Sequence, residues 1–360
     1  MTENAPAFER LRSCIPSKCI PPKCKPYPGT KAWKRAGRVI GVPRALITGI
    51  TGQDGSYLAD WLLEHDYEVV ALVRPGAARR AGVHYVHGDL ADPDSLRTAV
   101  LDSAPDELYH LAAPTFVPAS WEDPAGTLEL VAGATATLLA AAREVASSVR
   151  VLVASSSEIF GDAGESPQHE LSPMRPRSPY GVAKLAAHGL TRTLREREGQ
   201  HCSCAITFNH ESPRRPKRFL PRKVTRAAAA IKLGLQDELA IGDLGALRDW
   251  CHARDVVRGE WLMLQRDEPG DYVLAGGVGR TVGELVDTAF ACVGLDPADH
   301  VRVDPAFVRP PESTPPVGDP SLARERLGWR PETSFEAMIG EMVQADLADL
   351  TDVERARAPH

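Results

Sequence analysis

The chain has 360 residues, 43% hydrophobic and 25% charged, enough for one large domain or two coupled ones with a full core. Its net charge of −6 is uneven: residues 1–43 hold nine Lys/Arg against two Asp/Glu, leaving −13 on the remainder, which argues against nucleic acid as a partner. No apolar run reaches the ~18 residues of a membrane span, the polar start MTENAPAFER is not a secretory signal, and seven scattered cysteines make no disulfide framework, so no membrane association and a reducing cytoplasm are expected.

Residues 1–43 place Cys14, Cys19 and Cys24 at a five-residue step among dense prolines. Three thiols without the two-residue gap of zinc sites, and with no fourth ligand nearby, do not make a metal centre, so no metal is expected. The segment reads as a basic, Pro-rich, disordered extension. Translation beginning near Val42, just ahead of the fold, is a further expectation.

From Arg44 the pattern alternates between short apolar runs and helical periods. Strands are predicted at 44–48, 68–73, 84–90, 107–112, 149–155 and 204–209, with helices over 92–104, 122–147 and 179–199. Short buried strands alternating with helices predict an α/β fold, a Rossmann-type doubly wound parallel sheet. This nucleotide-binding domain is expected over 44–208, with later strands near 239–276 added to it. After Asn209 a Pro/Arg-rich loop (213–223) leads into a smaller, interleaved C-terminal substrate-binding part, 209–238 and 277–350, with a tail at 351–360.

The first strand runs into Gly49, Gly52 and Gly55, and an apolar-periodic helix follows. Such a turn aims backbone N–H groups and a helix N-terminus at a phosphate, and glycine suits the positions of positive φ and of close approach. The end of the second strand chooses between the nicotinamide cofactors: an acid there bonds the ribose 2′-OH, whereas an Arg accepts a 2′-phosphate. This chain has Arg74 in ALVRPG and no acid, which favours NADP. Asp89 and Leu90, at the end of the third strand, stand where an adenine can sit.

ASSSEIFG (154–161) follows the fifth strand and SPYGVAK (178–184) opens the next helix. Tyr180 and Lys184 are four apart and share a helix face. With Lys184 lowering its pKa and Ser156 bonding the reacting hydroxyl, Tyr180 can act as a phenolate base while hydride leaves an alcohol for a cofactor. Glu158 adds a second acid/base. Once C4 of a hexose is a ketone, a carboxylate can remove the acidified C5 proton and help water leave from C6.

These residues resemble the short-chain dehydrogenase/reductase superfamily in its extended, sugar-nucleotide branch. More narrowly, ALITGITGQDGSYLA, SSSEIFG, PRSPYGVAK, FNHESPRR, RKVTRAAAAIKLGLQD, RDWCHARD and RPPES follow in order the pattern of the GDP-mannose 4,6-dehydratase family, across roughly residues 44 to 348. The resemblance implies catalysis by Ser156, Glu158, Tyr180 and Lys184. It implies NADP contacts at Gly49, Gly52, Gln53, Asp54, Gly55, Arg74, Asp89, Leu90, Leu111, Ala113, Tyr180, Lys184, His210 and Arg215, with His210 also a structural hydrogen-bonding residue. GDP-mannose contacts are implied at Ser120, Asn209, Lys223, Arg248, Arg309 and Glu312, with Arg suited to bidentate binding of phosphate. A homo-oligomer, dimer or tetramer, is also implied. Two other readings are a related GDP-sugar reductase or epimerase, which has no need of Glu158, and a catalytically silent NADP-binding scaffold. The chain departs from the family at Pro114–Val117, where Gln-Ser-His-Val is usual, at Pro75 and its shortened loop, at Pro221 in place of Thr and at Cys251 in place of Gly.

Overall fold

The computed structural model describes residues 41–307 and 313–357. The basic extension with its cysteines, apart from Gly41 to Pro43, lies outside the described residues, as do Arg309 and Glu312.

Seven parallel strands form the central sheet in the order β3 (Val83–His87), β2 (Glu68–Val73), β1 (Arg44–Thr48), β4 (Glu107–His110), β5 (Arg150–Ala154), β6 (Cys202–Thr207) and β10 (Asp271–Leu274). The order reverses between β1 and β4, and such a switch point opens a crevice at the carboxyl ends of the strands. The inner strands are buried on both faces and alternate between two cores, whereas edge strand β3 is partly exposed. Ala45 and Ile47 pack with Tyr57, Leu58 and Leu62 of α1 (Gln53–Glu64) and with Val256 and Met263 of α6 (Ala253–Leu264). Leu46, Leu108, Val151 and Val153 pack the other way, against Leu96 and Val100 of α2 (Pro93–Ser103) and Leu138 and Leu139 of α3 (Pro124–Val145).

The 22 residues of α3 include a π turn at Glu129–Gly133. By length and composition this helix is apolar enough to cross a membrane, with a mean hydropathy of 1.4. Here its buried side covers the sheet.

Of the strands expected near 239–276, only β10 joins the central sheet. β8 (Leu239–Ile241) pairs instead with β12 (Val301–Val303), and β9 (Leu247–His252) lies between β7 (Asn209–Glu211) and β11 (Gly279–Thr281). These small sheets border a third core. It is built by α5 (Leu220–Lys232), α7 (Val282–Val293) and α8 (Phe335–Arg357), with Val224, Ala228, Leu285, Phe290, Met338 and Met342 at its centre. The chain enters this part after β6, returns for α6 and β10, and leaves again, so the two parts interleave.

Candidate active site

The turn after β1 is shaped by its glycines. Gly49 has φ 81°, and a Cβ there would lie 2.8 Å from the Ala112 nitrogen. A Cβ on Gly55 would lie 2.3 Å from the Gly49 carbonyl oxygen, so the first turn of α1 presses onto the loop. Gly52 caps α1 with no side chain, which leaves the first-turn N–H groups to an anion. A dinucleotide pyrophosphate fits this cradle: the backbone of Gly49, Gly52, Gln53, Asp54 and Gly55 can hold it where no larger side chain has room.

The side chains of Gln53 and Asp54 turn inward instead. Gln53 Nε2 donates to the His210 carbonyl (3.0 Å), and its Oε1 accepts from the Ser212 hydroxyl (2.8 Å). Asp54 Oδ2 lies 2.9 Å from His210 Nε2, while His210 Nδ1 lies 2.7 Å from the Phe208 carbonyl. Burial opposes charge on His210, but the Asp54 carboxylate overrides it and raises the imidazole to about 9. Burial likewise opposes charge on Asp54, yet His210 pulls it below its ordinary value. An imidazolium thus neutralises the one acid in the phosphate turn. Both His210 nitrogens are engaged within the protein, so any effect of His210 on a bound cofactor passes through Asp54.

At the switch point Thr48 Oγ1 accepts the N–H groups of Leu111 (3.2 Å) and Ala112 (3.1 Å) and lies 2.8 Å from His110 Nδ1. Burial holds His110 down at about 3, so its Nδ1 accepts from Thr48. This pins the strand exit carrying Leu111 and Ala113 beside the glycine turn. Farther along, Arg74 is exposed at the end of β2. Asp89 Oδ1 accepts the Ala91 N–H (3.0 Å), its own N–H donates to Ser95 (3.0 Å), and Leu90 packs against the core under α2.

β5 ends at Ala154, and a short 3₁₀ turn, Ser157–Ile159, brings Glu158 round toward α4 (Pro179–Glu198). The Glu158 N–H donates to Ser156 Oγ (3.2 Å). Ser178 caps α4 by accepting the Gly181 N–H (3.0 Å), and its hydroxyl reaches Glu158 Oε2 at 3.4 Å. Lys184 Nζ donates to the Ala154 carbonyl (2.6 Å) and stands 5.8 Å from the centre of the Tyr180 ring. The four expected catalytic residues therefore come together at the carboxyl end of β5.

One electrostatic expectation is corrected. Tyr180 is not lowered in this structure: burial raises it well above its ordinary range, the Ser156 hydrogen bond acts against that, and Glu158 adds to it. Burial brings Lys184 down to about 8. Burial thus favours the protonated phenol, while the Ser156 hydrogen bond and the Arg215 charge favour the phenolate that a base requires.

The described residues expected to meet substrate are spread over four segments. Ser120 is buried, and its hydroxyl donates to the Val117 carbonyl (2.7 Å). Asn209 lies in β7 opposite Trp250, and Arg248 in β9 opposite Arg280. Lys223, on the second turn of α5, donates to the Ala240 carbonyl (2.8 Å) and lies 4.2 Å over the Phe307 ring. Arg215, expected at the cofactor, pairs with buried Glu211 (3.3 Å) and stacks 3.7 Å over Phe219.

A family model described as GDP-mannose 4,6 dehydratase matches residues 46–342. The chain belongs to the GDP-mannose 4,6-dehydratase family. It is 43% identical to GDP-mannose 4,6 dehydratase 1 of Arabidopsis thaliana over 84% of this chain and 89% of that one. Among solved structures it is similar to RMD from Pseudomonas aeruginosa complexed with NADPH, with a TM-score of 0.73 at 26% identity, covering 86% of this chain and all of that one. It is also similar to DesIV, a dTDP-glucose 4,6-dehydratase from Streptomyces venezuelae with NAD and TYD bound, with a TM-score of 0.73 at 25% identity, covering 84% of this chain and 96% of that one.

Three of the four expected departures from the family pattern have a physical setting in the structure. In Pro114–Val117, Phe116 packs edge-on against Phe219 with ring centres 6.0 Å apart, and the Arg218 guanidinium lies 5.2 Å over Phe116. An aromatic contact here ties the loop after β4 to the start of α5. Pro221 sits in the first turn of α5, where a missing N–H costs no helix bond. Cys251 is buried in the core between the sheet and α6. Sequence reasoning missed Thr48, His110, Ser178, Gly181 and Arg218. The signal for Ser178 was available, since Ser followed by Pro at a helix start marks a cap.

Proposed function

We propose that this chain converts GDP-mannose to GDP-4-keto-6-deoxy-mannose with release of one water, using a tightly held NADP. Family membership supports the reaction. The observation that carries it is the placement of Glu158 beside Ser156, Tyr180 and Lys184, because oxidation alone needs only the phenol, the hydroxyl and the ammonium. The dinucleotide supplies a hydride acceptor for C4 and a hydride donor for C6, so none is consumed.

In this reading Tyr180 takes the C4 hydroxyl proton while Ser156 shares the hydrogen bond, and Lys184 holds the cofactor ribose. Glu158 then removes the C5 proton, made acidic by the C4 carbonyl, and passes a proton to the C6 hydroxyl, which leaves as water. The proton on Tyr180 returns to C5 as C6 is reduced. Asn209, Ser120, Lys223 and Arg248, with Arg309 and Glu312, bind the sugar nucleotide.

Arg74 at the end of β2, and the NADPH in the similar RMD structure, support NADP over NAD. Arg74→Asp is expected to weaken NADP binding by about tenfold or more while sparing NAD, since a charge-assisted hydrogen bond is lost. Assembly as a homo-oligomer is supported by three exposed apolar residues, Trp121 (64%) on the turn before α3, Leu128 (45%) on α3 and Val182 (49%) on α4. Light scattering on the purified chain tests it.

The reaction is tested by incubating the protein with GDP-mannose and catalytic NADP and following the nucleotide sugar by mass spectrometry. Loss of one water supports the reading. Binding without loss favours a GDP-sugar reductase or epimerase, and no binding favours a silent scaffold.

A further inference from the structure

One face of α4 makes three contacts with the exit of β5, and the reaction described above accounts for only two of them. Tyr180 hydrogen-bonds Ser156, and Lys184 Nζ donates to the Ala154 carbonyl (2.6 Å). One turn farther on, His188 Nδ1 lies 3.2 Å from the hydroxyl of Ser155, the residue between them. His188 is 1% exposed and Ser155 3% exposed, so both are enclosed by protein.

The imidazole is held from behind. His188 Nε2 lies 3.6 Å from Oδ2 of Asp271 on edge strand β10. Asp271 is fixed by the two terminal guanidinium nitrogens of Arg195, at 2.8 and 2.6 Å, and by the Cys204 N–H at 3.2 Å. A carboxylate beside Nε2 favours the tautomer with its proton there, which leaves Nδ1 to accept from the Ser155 hydroxyl. The charged and titratable groups facing His188 are Asp271 from β10, Cys204 from β6, and Arg192 and Arg195 from α4 itself. Burial, with the two arginines, outweighs Asp271 and keeps the ring neutral. The ligand atoms of His188, Cys204 and Asp271 lie within 4.8 Å of one another, but Arg195 already occupies both Asp271 oxygens, so the cluster is a clamp rather than a cation site.

Ser155 is gripped on every polar group. Its N–H donates to the Ala205 carbonyl (2.8 Å), its carbonyl accepts from the Thr207 hydroxyl (3.4 Å), and its hydroxyl meets His188. The residues that follow it are Ser156 and, two further on, Glu158. We propose that His188 is a positioning residue for the dehydration: through Ser155 it fixes the segment from which Ser156 and Glu158 project, and so sets their distance from Tyr180 and Lys184. This rests on the proposed roles of those four residues.

The test compares His188→Leu, His188→Asn, Ser155→Ala and the double variant His188→Leu/Ser155→Ala, each with bound NADP. The measurements are thermal unfolding, KM for GDP-mannose, kcat, and the primary isotope effect with C4-deuterated GDP-mannose. His188→Leu and Ser155→Ala are each expected to lower kcat about 10–100-fold, as misplacement of about an ångström does. KM should stay within about twofold and the isotope effect on kcat should rise as the hydride step becomes limiting. The double variant should be no slower than the slower single variant, because both act through one hydrogen bond. His188→Asn, whose amide oxygen can stand in for Nδ1, should recover most of the rate.

The proposal is overturned if kcat is unchanged, if the two losses multiply, or if kcat and KM move together with unfolding and His188→Asn gives no recovery. Should His188→Leu fail to fold, Ser155→Ala, which removes one oxygen, decides alone. Wild-type protein that releases no water sinks the parent reading instead, and the two failures are separate measurements.

Discussion

Gly181 lies directly against the backbone of Glu158: a Cβ on Gly181 would stand 2.6 Å from the Glu158 carbonyl oxygen and 3.0 Å from Pro176 Cβ. The first turn of α4, which carries Tyr180, therefore reaches the turn carrying Glu158 only because residue 181 has no side chain. Gly181→Ala is expected to push the two apart and lower kcat by about tenfold or more, with NADP still binding at the glycine turn. Steady-state kinetics beside calorimetric titration of NADP checks both halves.

Glu158→Gln keeps the shape of the side chain and removes its ability to take a proton. C4 oxidation should survive, seen as reduced cofactor that builds up on adding GDP-mannose. Water release should fall by about 10²–10⁴-fold, the usual worth of a placed acid/base. Undiminished dehydration in this variant would mean that another group moves the C5 proton.

Gly49 has positive φ and no space for a methyl group: the nearest atom to a Cβ is backbone, the Ala112 nitrogen at 2.8 Å. Gly49→Ala should cost about 1–3 kcal/mol of stability, since strain of this kind and steric overlap act together. It should also weaken cofactor binding by widening the gap between β1 and β4. Denaturant unfolding with and without NADP separates the two effects, and a variant indistinguishable from wild type would rule out the crowding.

The Asp54–His210 pair gives stability a defined pH window. His210 titrates at about 9 in the folded chain against an ordinary 6.5, so its contribution is complete below 6.5 and disappears as pH rises through about 9. Asp54 is held below its ordinary 3.8, so its contribution is present above that value and disappears as pH falls through the folded value. The melting temperature should therefore decline between about pH 6.5 and 9, and His210→Gln should remove that part of the decline. Parallel curves for the two proteins across this range would show that the pair does not contribute.

Periodicity and turn chemistry made the βα order and the glycine turn legible, and the four-residue spacing of Tyr180 and Lys184 put them on one face. These are local signals, carried by neighbours in the chain. What stayed hidden was non-local. β9 pairs with β7 and β11 across about forty and thirty residues, through short strands rich in charge and histidine that show no apolar run. β8 was expected in the central sheet and instead found β12, about sixty residues away. Gln53 and Asp54 were expected at the cofactor because they sit in its turn. Their partners, His210 and Ser212, lie more than 150 residues along the chain, and no spacing rule connects them. The raised Tyr180 has the same origin, since burial is set by the whole fold.

β7 divides two duties between adjacent residues. Successive side chains of a strand point to opposite faces, and His210 takes the face toward Asp54, so Asn209 takes the other. Substitution and insertion will therefore have opposite outcomes in laboratory evolution of this enzyme. Replacing residue 209, the proposed sugar contact, is expected to retune the preference for one hexose over another while the nucleotide turn stays intact. Adding or deleting a single residue before β7 exchanges the two faces, and both the proposed sugar contact and the partner of Asp54 are lost in one step.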